Sequence, residues 1–161
     1  MSELIKLAKE FGDYLVSKRL KCVTAESCTG GGLAAAITEI SGSSAWFDRG
    51  FVTYSNESKT EMLGVPKELI DQYGAVSEEV ARAMVNGAIE RSGADVGISI
   101  TGIAGPSGGS PEKPVGLVWF AWMCSGSLIA ESRIFSGDRQ AIRKAALQFA
   151  LKGAIKGIRL S

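Results

Sequence analysis

T-A-E-S-C-T-G-G, residues 24–31, connects a short apolar run to a segment rich in small residues. Residues 22–25 predict a buried strand, and residues 30–40 predict a helix. The polar cluster between them therefore lies on a strand-to-helix turn. Such turns often carry the chemistry of α/β proteins, because strand ends meet exposed helix N-termini there. The stretch predicts an α/β fold with a functional site at this turn.

The rest of the chain continues this alternation and closes it with a hairpin. Helices are predicted over residues 3–19, 57–63, 66–74, 78–91 and 139–155, and strands over residues 51–54, 95–101, 115–124 and 128–135. The short connection at residues 125–127 is typical of an antiparallel hairpin. The order predicts one domain over residues 1–161, a three-layer α/β/α sandwich with a mixed sheet ending in an antiparallel hairpin.

The composition excludes several classes of partner. The net charge of the 161 residues is +1 at pH 7, which gives no electrostatic footprint for nucleic acid or an anionic membrane surface. No apolar run approaches the roughly 20 residues that cross a bilayer. The N-terminus lacks the apolar stretch of a signal peptide. We therefore expect a cytoplasmic protein with no nucleic-acid partner and no membrane partner.

The sequence contains no histidine. This excludes Ser-His-Asp triads, Cys-His dyads and His-ligated metals. The three cysteines, Cys22, Cys28 and Cys124, lack C-x-x-C spacing and indicate neither a zinc site nor a disulfide framework. Acid–base chemistry must therefore come from Lys, Tyr, Cys or a carboxylate, and we expect no metal.

Ser27 is the first candidate nucleophile. A serine on a tight turn at a helix N-terminus has an exposed hydroxyl and free N–H groups nearby, which together supply a nucleophile and an oxyanion hole. Glycines 30–32 would let a ligand approach the backbone, although they can equally just make a tight connection. Cys28 is the rival nucleophile, since a helix N-terminus lowers the pKa of a thiol. Its alternative is a small buried hydrophobe.

Three further stretches contain candidate functional groups. Lys59, in Y-S-N-E-S-K, lies early in a predicted helix, where the dipole disfavours a cation and can prepare a general base; the alternative is a solvated surface lysine. The glycine-rich loop T-G-I-A-G-P-S-G-G, residues 101–109, follows a strand and predicts a phosphate or ribose cradle, without matching a Walker A or GxGxxG pattern. Arg139 and Arg143 can clamp an anion or belong to a solvated helix start.

Taken together, the motifs resemble those of one family. From residue 24 to residue 139 the chain carries, in order, T-A-E-S-C-T-G-G, G-S-S-A-W-F-D-R-G-F-V-T-Y-S-N-E-S-K, G-A-V-S-E-E-V, I-T-G-I-A-G-P-S-G-G, K-P-V-G-L-V-W-F and F-S-G-D-R. This series resembles the C-terminal domain of the competence/damage-inducible protein A (CinA) family. The stand-alone members of that family are nicotinamide-nucleotide amidohydrolases.

The resemblance implies a reaction and a set of residues. The reaction is hydrolysis of the carboxamide of nicotinamide mononucleotide, in pyridine-nucleotide recycling, without metal or cofactor. The implied roles are nucleophile for Ser27, base for Lys59 and supporting hydroxyl for Tyr54. The implied substrate-binding residues are Thr29, Gly30, Gly31, Ser44, Thr101, Gly102, Gly105 and Arg139.

The expected partner is accordingly a small nucleotide substrate, and the expected assembly is a homo-oligomer. Two other interpretations stay open at this point. One is a nucleotide-binding or regulatory module without catalytic activity, and the other is an amidase that acts on a different small amide.

Overall fold

The computed structural model describes residues 2–161. Its helices are α1 (Glu3–Lys18), α2 (Gly32–Thr38), α3 (Asn56–Leu63), α4 (Lys67–Tyr73), α5 (Glu78–Ser92) and α6 (Arg139–Arg159). Its strands are β1 (Cys22–Glu26), β2 (Phe47–Val52), β3 (Val96–Gly102), β4 (Leu117–Cys124) and β5 (Ser127–Ile134), and a short 3-10 helix at Ser43–Ala45 precedes β2.

The strands form one mixed sheet in the order β2-β1-β3-β4-β5. Strand β1 is parallel to β2 and β3, whereas β4 is antiparallel to both β3 and β5. Strands β4 and β5 are joined by a two-residue turn, Ser125 and Gly126, whose φ angles of 50° and 86° suit the twist of a tight hairpin. The predicted α/β sandwich with a mixed sheet and a terminal hairpin is confirmed.

Side chains alternate along the strands between two helical layers. Ile98 and Ile100 of β3 pack in the larger core, which α1, α2 and α6 cover. Ser99, between them, points to the other side, where its hydroxyl donates to the carbonyl of Ala81 in α5. Helices α3, α4 and α5 cover that second face. Within residues 2–161, no helix is both long enough and apolar enough to cross a membrane.

Helices α3, α5 and α6 begin at side-chain caps. Ser55, Ser77 and Asp138 precede α3, α5 and α6, and each side chain accepts a hydrogen bond from the backbone amide three residues later. Each cap therefore satisfies an N–H group that the first helical turn leaves without a partner. Two of the caps matter for the site, because α3 carries Lys59 and α6 begins with Arg139.

The prediction of β2 over residues 51–54 is wrong in its boundaries. The strand runs from Phe47 to Val52, and Asp48, Arg49 and Gly50 within it are exposed. Because β2 is an edge strand, these three exposed residues lack the alternating apolar pattern by which a strand is recognised in a sequence. The amide of Thr53 still donates to the carbonyl of Glu26. The chain then leaves the sheet.

Positive φ angles explain two smaller differences from prediction. Helix α2 starts at residue 32 rather than residue 30, because Gly30 and Gly31 have φ angles of 59° and 98° and form a turn instead. Strand β4 starts at Leu117 rather than Val115, because Gly116 has a φ of 96°. The last helix also continues to Arg159, four residues beyond its predicted end.

Gly87 sets how closely α5 approaches α3. A Cβ atom at Gly87 would overlap the backbone carbonyl oxygen of Leu63, at the C-terminal end of α3. That carbonyl cannot move away without shifting the helix end itself. The absence of a side chain at Gly87 therefore holds α3, and the lysine that α3 carries, close to the sheet.

Replacing Gly87 with alanine should consequently destabilise the fold. The added methyl group raises helix propensity, but the clash with the Leu63 carbonyl should lower the free energy of unfolding by about 1–3 kcal/mol net. Urea unfolding of Gly87→Ala measures the change. Asn86→Ala, at an exposed position of the same helix, is the control and should be neutral or slightly stabilising. A Gly87→Ala protein as stable as the control would contradict this role.

Candidate active site

A cavity of about 340 Å³ opens where the three parallel strands end. Because β1, β2 and β3 run in the same direction, the residues that follow them meet at one edge of the sheet. The glycine-rich loop after β3 and the start of α6 complete the rim. The lining residues are Ser27, Cys28, Tyr54, Asn56, Lys59, Ala75, Val76, Thr101, Gly102, Ile103, Ala104, Gly105, Ser107, Gly108 and Arg139.

Ser27 and Lys59 form a buried polar contact in this cavity. Ser27 follows β1 directly and is anchored by its amide, which donates to the carbonyl of Ile100 on β3. Lys59 lies near the start of α3, and its side chain is only 1% exposed. Its Nζ atom lies 3.0 Å from the Oγ atom of Ser27.

The remaining partners of Lys59 are backbone carbonyls. Its Nζ atom lies 3.0 Å from the carbonyl oxygen of Thr53 and 3.3 Å from that of Tyr54. Burial disfavours the charged form and lowers the pKa of Lys59 below its ordinary range. Among residues 2–161, no carboxylate forms a salt bridge with it. Burial thus shifts Lys59 toward its neutral form relative to an exposed lysine, and a neutral amine has two protons and one lone pair.

Two carbonyl oxygens can take both protons of that neutral amine, since a carbonyl only accepts hydrogen bonds. The lone pair of the Lys59 Nζ atom is then left for the hydroxyl proton of Ser27. This arrangement meets the geometric requirement for a base that deprotonates a serine, because the two atoms lie within hydrogen-bond distance.

The carboxylate of Glu26 fixes the turn that carries Ser27. It is 1% exposed and accepts hydrogen bonds from the Thr29 hydroxyl at 2.6 Å and from the amides of Leu33 and Ala34 at 2.9 and 3.0 Å. It thereby caps α2, whose own N-cap residue, Gly31, has no side chain. Sequence reasoning missed this role, although an acidic residue just before a helix N-terminus is a favourable dipole partner.

Arg143 holds the same turn from the opposite side. Its Nε atom donates to the carbonyl of Cys28 at 3.2 Å, and its Nη2 atom donates to the carbonyl of Thr29 at 3.1 Å. The side chain is therefore engaged with the backbone and does not line the cavity. The backbone amides of Cys28 and Thr29, by contrast, donate to no other residue within 2–161. They are therefore backbone donors without a protein acceptor, next to Ser27 in the chain.

Cys28 has the properties of a core residue. It is 6% exposed and packs with the large core on the α6 side. Burial raises the pKa of its thiol to about 11, despite the opposing effect of the nearby Arg143 guanidinium. At neutral pH the group is a thiol rather than a thiolate. Of the two interpretations of this cysteine, the buried hydrophobe fits better than the nucleophile.

Arg139 joins three distant segments at the cavity mouth. Its Nη1 atom donates to the carbonyl of Gly105 at 2.7 Å, and its Nη2 atom donates to the Tyr54 hydroxyl at 3.0 Å. Tyr54 is 61% exposed, so its hydroxyl lies at the rim, away from the buried amine of Lys59. In the part of the chain that the structure describes, the lining contains the Arg139 guanidinium and the buried Lys59 amine but no Asp or Glu. This charge distribution suits an anionic ligand.

The loop after β3 presents unused backbone donors. The amides of Ala104, Gly105, Ser107 and Gly108 form no hydrogen bond to another residue of the described chain. Ala104 is buried, and a buried amide normally has an acceptor, so these groups are suited to a bound anion or to water. Thr101 lies just before them, and its hydroxyl donates to the carbonyl of Ala75.

The cavity gathers most of the residues proposed from the sequence. Ser27, Lys59, Tyr54, Thr101, Gly102, Gly105 and Arg139 all line it. Thr29, Gly30 and Gly31 lie in the adjoining turn, outside the lining. Among residues 2–161, no group of three or more His, Cys, Asp or Glu side chains is placed to hold a metal ion.

Ser44 is not brought to the cavity. It is exposed in the short 3-10 helix before β2. Because β1 and β2 are parallel and Cys22 is opposite Phe47, this segment lies at the start of the strands, whereas Ser27 lies at their end. Ser44 therefore sits at the opposite edge of the sheet from the Ser27–Lys59 contact within one chain.

Comparison with known proteins identifies close relatives over nearly the whole chain. A model of the CinA C-terminal domain family matches residues 4–158. A Pseudomonas putida protein named nicotinamide-nucleotide amidohydrolase PncC is 51% identical over 156 residues, which are 97% of this chain and 98% of the relative. A protein of the same name from Escherichia coli K12 is 53% identical over 152 residues, or 94% of this chain and 92% of the relative.

Solved structures share the fold at similar coverage. A CinA superfamily protein from Klebsiella pneumoniae superposes with a TM-score of 0.95 at 36% identity, covering 98% of this chain and 99% of the other. The competence/damage inducible protein CihA from Agrobacterium tumefaciens gives a TM-score of 0.94 at 45% identity, covering 98% and 96%. The arrangement of helices around the mixed sheet is therefore one that experimental structures contain.

The buried state of Lys59 predicts a specific dependence of stability on pH. Since its folded-state pKa is lowered below the ordinary 10.5, the unfolded chain binds more protons between these two values. The contribution of this lysine to stability should therefore rise with pH across that interval, by at most about 1.4 kcal/mol per pH unit. The difference in free energy of unfolding between wild type and Lys59→Met, measured with urea at several pH values below 10.5, should increase with pH.

Lys67 provides the control for this measurement. It also lies in the first turn of a helix, but it is exposed, and its salt bridge with Asp71 raises its pKa. The difference in free energy of unfolding between wild type and Lys67→Met should therefore not increase with pH over the same pH range. A difference for Lys59→Met that stays constant with pH would mean that Lys59 keeps its proton in the folded protein.

Proposed function

The chain belongs to the CinA C-terminal domain family, and from this premise we propose that it hydrolyses the carboxamide of nicotinamide mononucleotide to nicotinate mononucleotide and ammonia. The names of the relatives at 51% and 53% identity support this substrate. The observation that carries the chemistry is the 3.0 Å contact between the Ser27 Oγ atom and the buried Lys59 Nζ atom. Ser–Lys pairs are a known variant of the serine hydrolase arrangement.

In the first half of the proposed reaction, Ser27 attacks the substrate. Its Oγ atom forms a bond to the carboxamide carbon while its proton passes to the neutral amine of Lys59. The free amides of Cys28 and Thr29 stabilise the oxyanion of the tetrahedral intermediate. When the C–N bond breaks, Lys59 returns the proton to the leaving nitrogen, and ammonia departs. An ester between Ser27 and the nicotinoyl group remains.

In the second half, water replaces ammonia. Lys59 removes a proton from the water molecule, whose oxygen attacks the ester carbon, and the Ser27 Oγ atom leaves with that proton. The sum of both halves is one carboxamide and one water converted to one carboxylic acid and one ammonia. The same base serves each half, as the absence of histidine from the sequence requires another proton acceptor.

Rigid support of the turn is part of this proposal. Oxyanion stabilisation depends on donors that are already in place when charge develops. Glu26 binds the helix side of the turn, and Arg143 binds the carbonyls of Cys28 and Thr29. Both contacts restrict the backbone of the turn that carries the Cys28 and Thr29 amides. We therefore regard Glu26 and Arg143 as positioning residues.

Recognition of the nucleotide is proposed for the cavity mouth. A phosphate monoester needs donors and positive charge, which the free amides of residues 104–108 and the guanidinium of Arg139 can supply. Pro106, within that loop, has no amide proton to give. We propose that the sugar lies against Thr101 and Gly102, which also line the cavity.

The main test is ammonia release from nicotinamide mononucleotide by the purified protein. Ser27→Ala should lose turnover, because it removes the attacking oxygen, while Cys28→Ala should keep most of it, because the thiol is buried and protonated. Circular dichroism checks that both variants fold. The opposite pattern would make Cys28 the nucleophile. Binding without ammonia release by wild type would indicate a regulatory module, and release only from other amides would indicate a different amidase.

A second test addresses the phosphate. A charge-assisted hydrogen bond is worth about 1.5–3 kcal/mol, so Arg139→Ala should lower kcat/KM for the mononucleotide roughly 10- to 100-fold and barely change it for the riboside. Tyr54→Phe is the matched control, because it removes the hydroxyl that Arg139 contacts but keeps the cation. An equal loss for both substrates in Arg139→Ala would exclude phosphate recognition by this residue and leave the loop amides as its remaining donors.

A further inference from the structure

The loop after β3 is connected to helix α4 by the side chain of Lys113. Its ammonium group donates to the backbone carbonyl of Tyr73, the last residue of α4, which lies 40 positions earlier in the chain. The last carbonyls of a helix lack intrahelical partners, and the negative end of the helix dipole attracts a cation. Helix α4 ends in Asp71, Gln72 and Tyr73 and so has no basic side chain in its last turn. Lys113 supplies the cation that this helix end lacks.

Gly74, directly after α4, leaves room for this contact. It has a φ angle of 82°, and a Cβ atom built there would lie 2.8 Å from the Nζ atom of Lys113. A side chain at this position would therefore press on the ammonium group as well as strain the backbone. The contact thus depends on the helix end and on the loop together.

The backbone of Lys113 is bound in turn to the part of the loop that carries the free amides. Its amide donates to the Ser110 hydroxyl, and its carbonyl accepts from the Ser110 amide. Gly109 lies against the returning limb of the loop, since a Cβ atom there would be 2.7 Å from the amide nitrogen of Val115. Residues 109 and 110 directly follow the free amides of residues 104–108. Fixing Lys113 therefore restrains the loop just beyond those donors.

A second cation restrains the loop among the donors themselves. Arg139, at the start of α6, donates to the carbonyl of Gly105 at 2.7 Å. The two cations differ in their relation to the cavity, because Arg139 lines it whereas Lys113 lies outside the lining. Arg139 can thus contact a ligand directly. Lys113 can act on a ligand through the backbone of the loop.

The two segments that Lys113 connects both line the cavity. Ala75 and Val76, in the connection between α4 and α5, belong to the lining, as does most of the stretch from residue 101 to residue 108. The Thr101 hydroxyl also joins these segments, since it donates to the carbonyl of Ala75 at 2.9 Å. Lys113 and Thr101 therefore hold the same two segments together at two places, and the separation of the segments contributes to the width of the cavity.

We propose that Lys113 is a positioning residue for the phosphate of the substrate: by binding the end of α4, it holds the amides of residues 104–108 in the arrangement that receives the anion. This inference rests on the proposed function, in which those amides bind phosphate. Donors already in place lose little conformational freedom when a ligand binds, whereas a glycine-rich loop without this contact must be ordered at that moment. Lys113 should therefore affect affinity for the nucleotide and leave the chemistry at Ser27 unchanged.

The test compares Lys113→Met with wild type on nicotinamide mononucleotide and on the riboside, which lacks the phosphate. Methionine keeps an unbranched side chain and removes the ammonium donor. KM for the mononucleotide should rise about tenfold while kcat stays within about twofold, and the kinetic constants for the riboside should barely change. Lys113→Arg restores a cationic donor and should keep KM for the mononucleotide close to that of wild type.

Lys67→Met is the matched control. It removes the same charge from an exposed lysine in the first turn of the same helix, so its KM should equal that of wild type. Circular dichroism checks that each variant is folded under the assay conditions. An unchanged KM in Lys113→Met, an equal rise in Lys67→Met, a fall in kcat for both substrates, or a failure of Lys113→Arg to restore KM would each overturn the proposal.

Binding to an inactive variant separates this proposal from the proposed function. Calorimetric titration of Ser27→Ala with the mononucleotide measures affinity without turnover, and adding Lys113→Met to that variant should raise the dissociation constant about tenfold. An unchanged dissociation constant would overturn the role of Lys113 alone. Weaker binding together with no ammonia release by wild type would overturn the proposed reaction and support the role of Lys113. A Ser27→Ala protein that does not bind the mononucleotide would overturn both.

Discussion

Lys59 places a basic amine in the protein interior, 3.0 Å from a serine hydroxyl and with two carbonyls as its other partners. Burial disfavours a charged ammonium there, and it lowers the pKa of Lys59 below its ordinary value. Much of the surrounding structure serves to hold it there. The Ser55 cap starts α3, and the close approach at Gly87 packs the end of that helix. The chain after β2 supplies the two carbonyl acceptors.

The serine is held by a different set of contacts. Its turn lies between β1 and α2 and has two glycines with positive φ, which leave it little intrinsic rigidity. Rigidity comes from ionic groups that are not themselves in the cavity: the Glu26 carboxylate on one side and the Arg143 guanidinium on the other. These contacts connect β1, α2 and α6 around the turn of residues 27–31. The geometry of the site therefore depends on α6 as much as on the strands that precede it.

The sequence predicted those parts of the fold whose signals are local. The hairpin depends on neighbouring residues, and its turn appears where expected, at Ser125 and Gly126. Strand β2 was placed too late because an edge strand has no apolar pattern over Asp48 and Arg49. Long-range contacts leave no local signal, which is why the role of Arg143 emerged only from the coordinates.

In the site, too, local features could be predicted from the sequence and long-range contacts could not. Ser27 and Lys59 are separated by 32 residues, and only the resemblance of the motifs suggested that they act together. Ser44 belongs to the same motif series, yet the parallel arrangement of β1 and β2 puts it at the other end of the sheet. Membership in a series of motifs does not determine which residues are close in space, because strand direction decides at which end of the sheet each residue lies. Direction is a property of the whole sheet.

The buried Ser27–Lys59 contact and the rim of the cavity come from different parts of the chain. Ser27 and Lys59 belong to the first two β–α units, whereas the rim is built by the loop after β3 and by the first residue of α6. Mutations at the rim can therefore alter which molecule is held without moving the buried pair. Divergence confined to the rim would therefore change the ligand while the contact between Ser27 and Lys59 stays as it is.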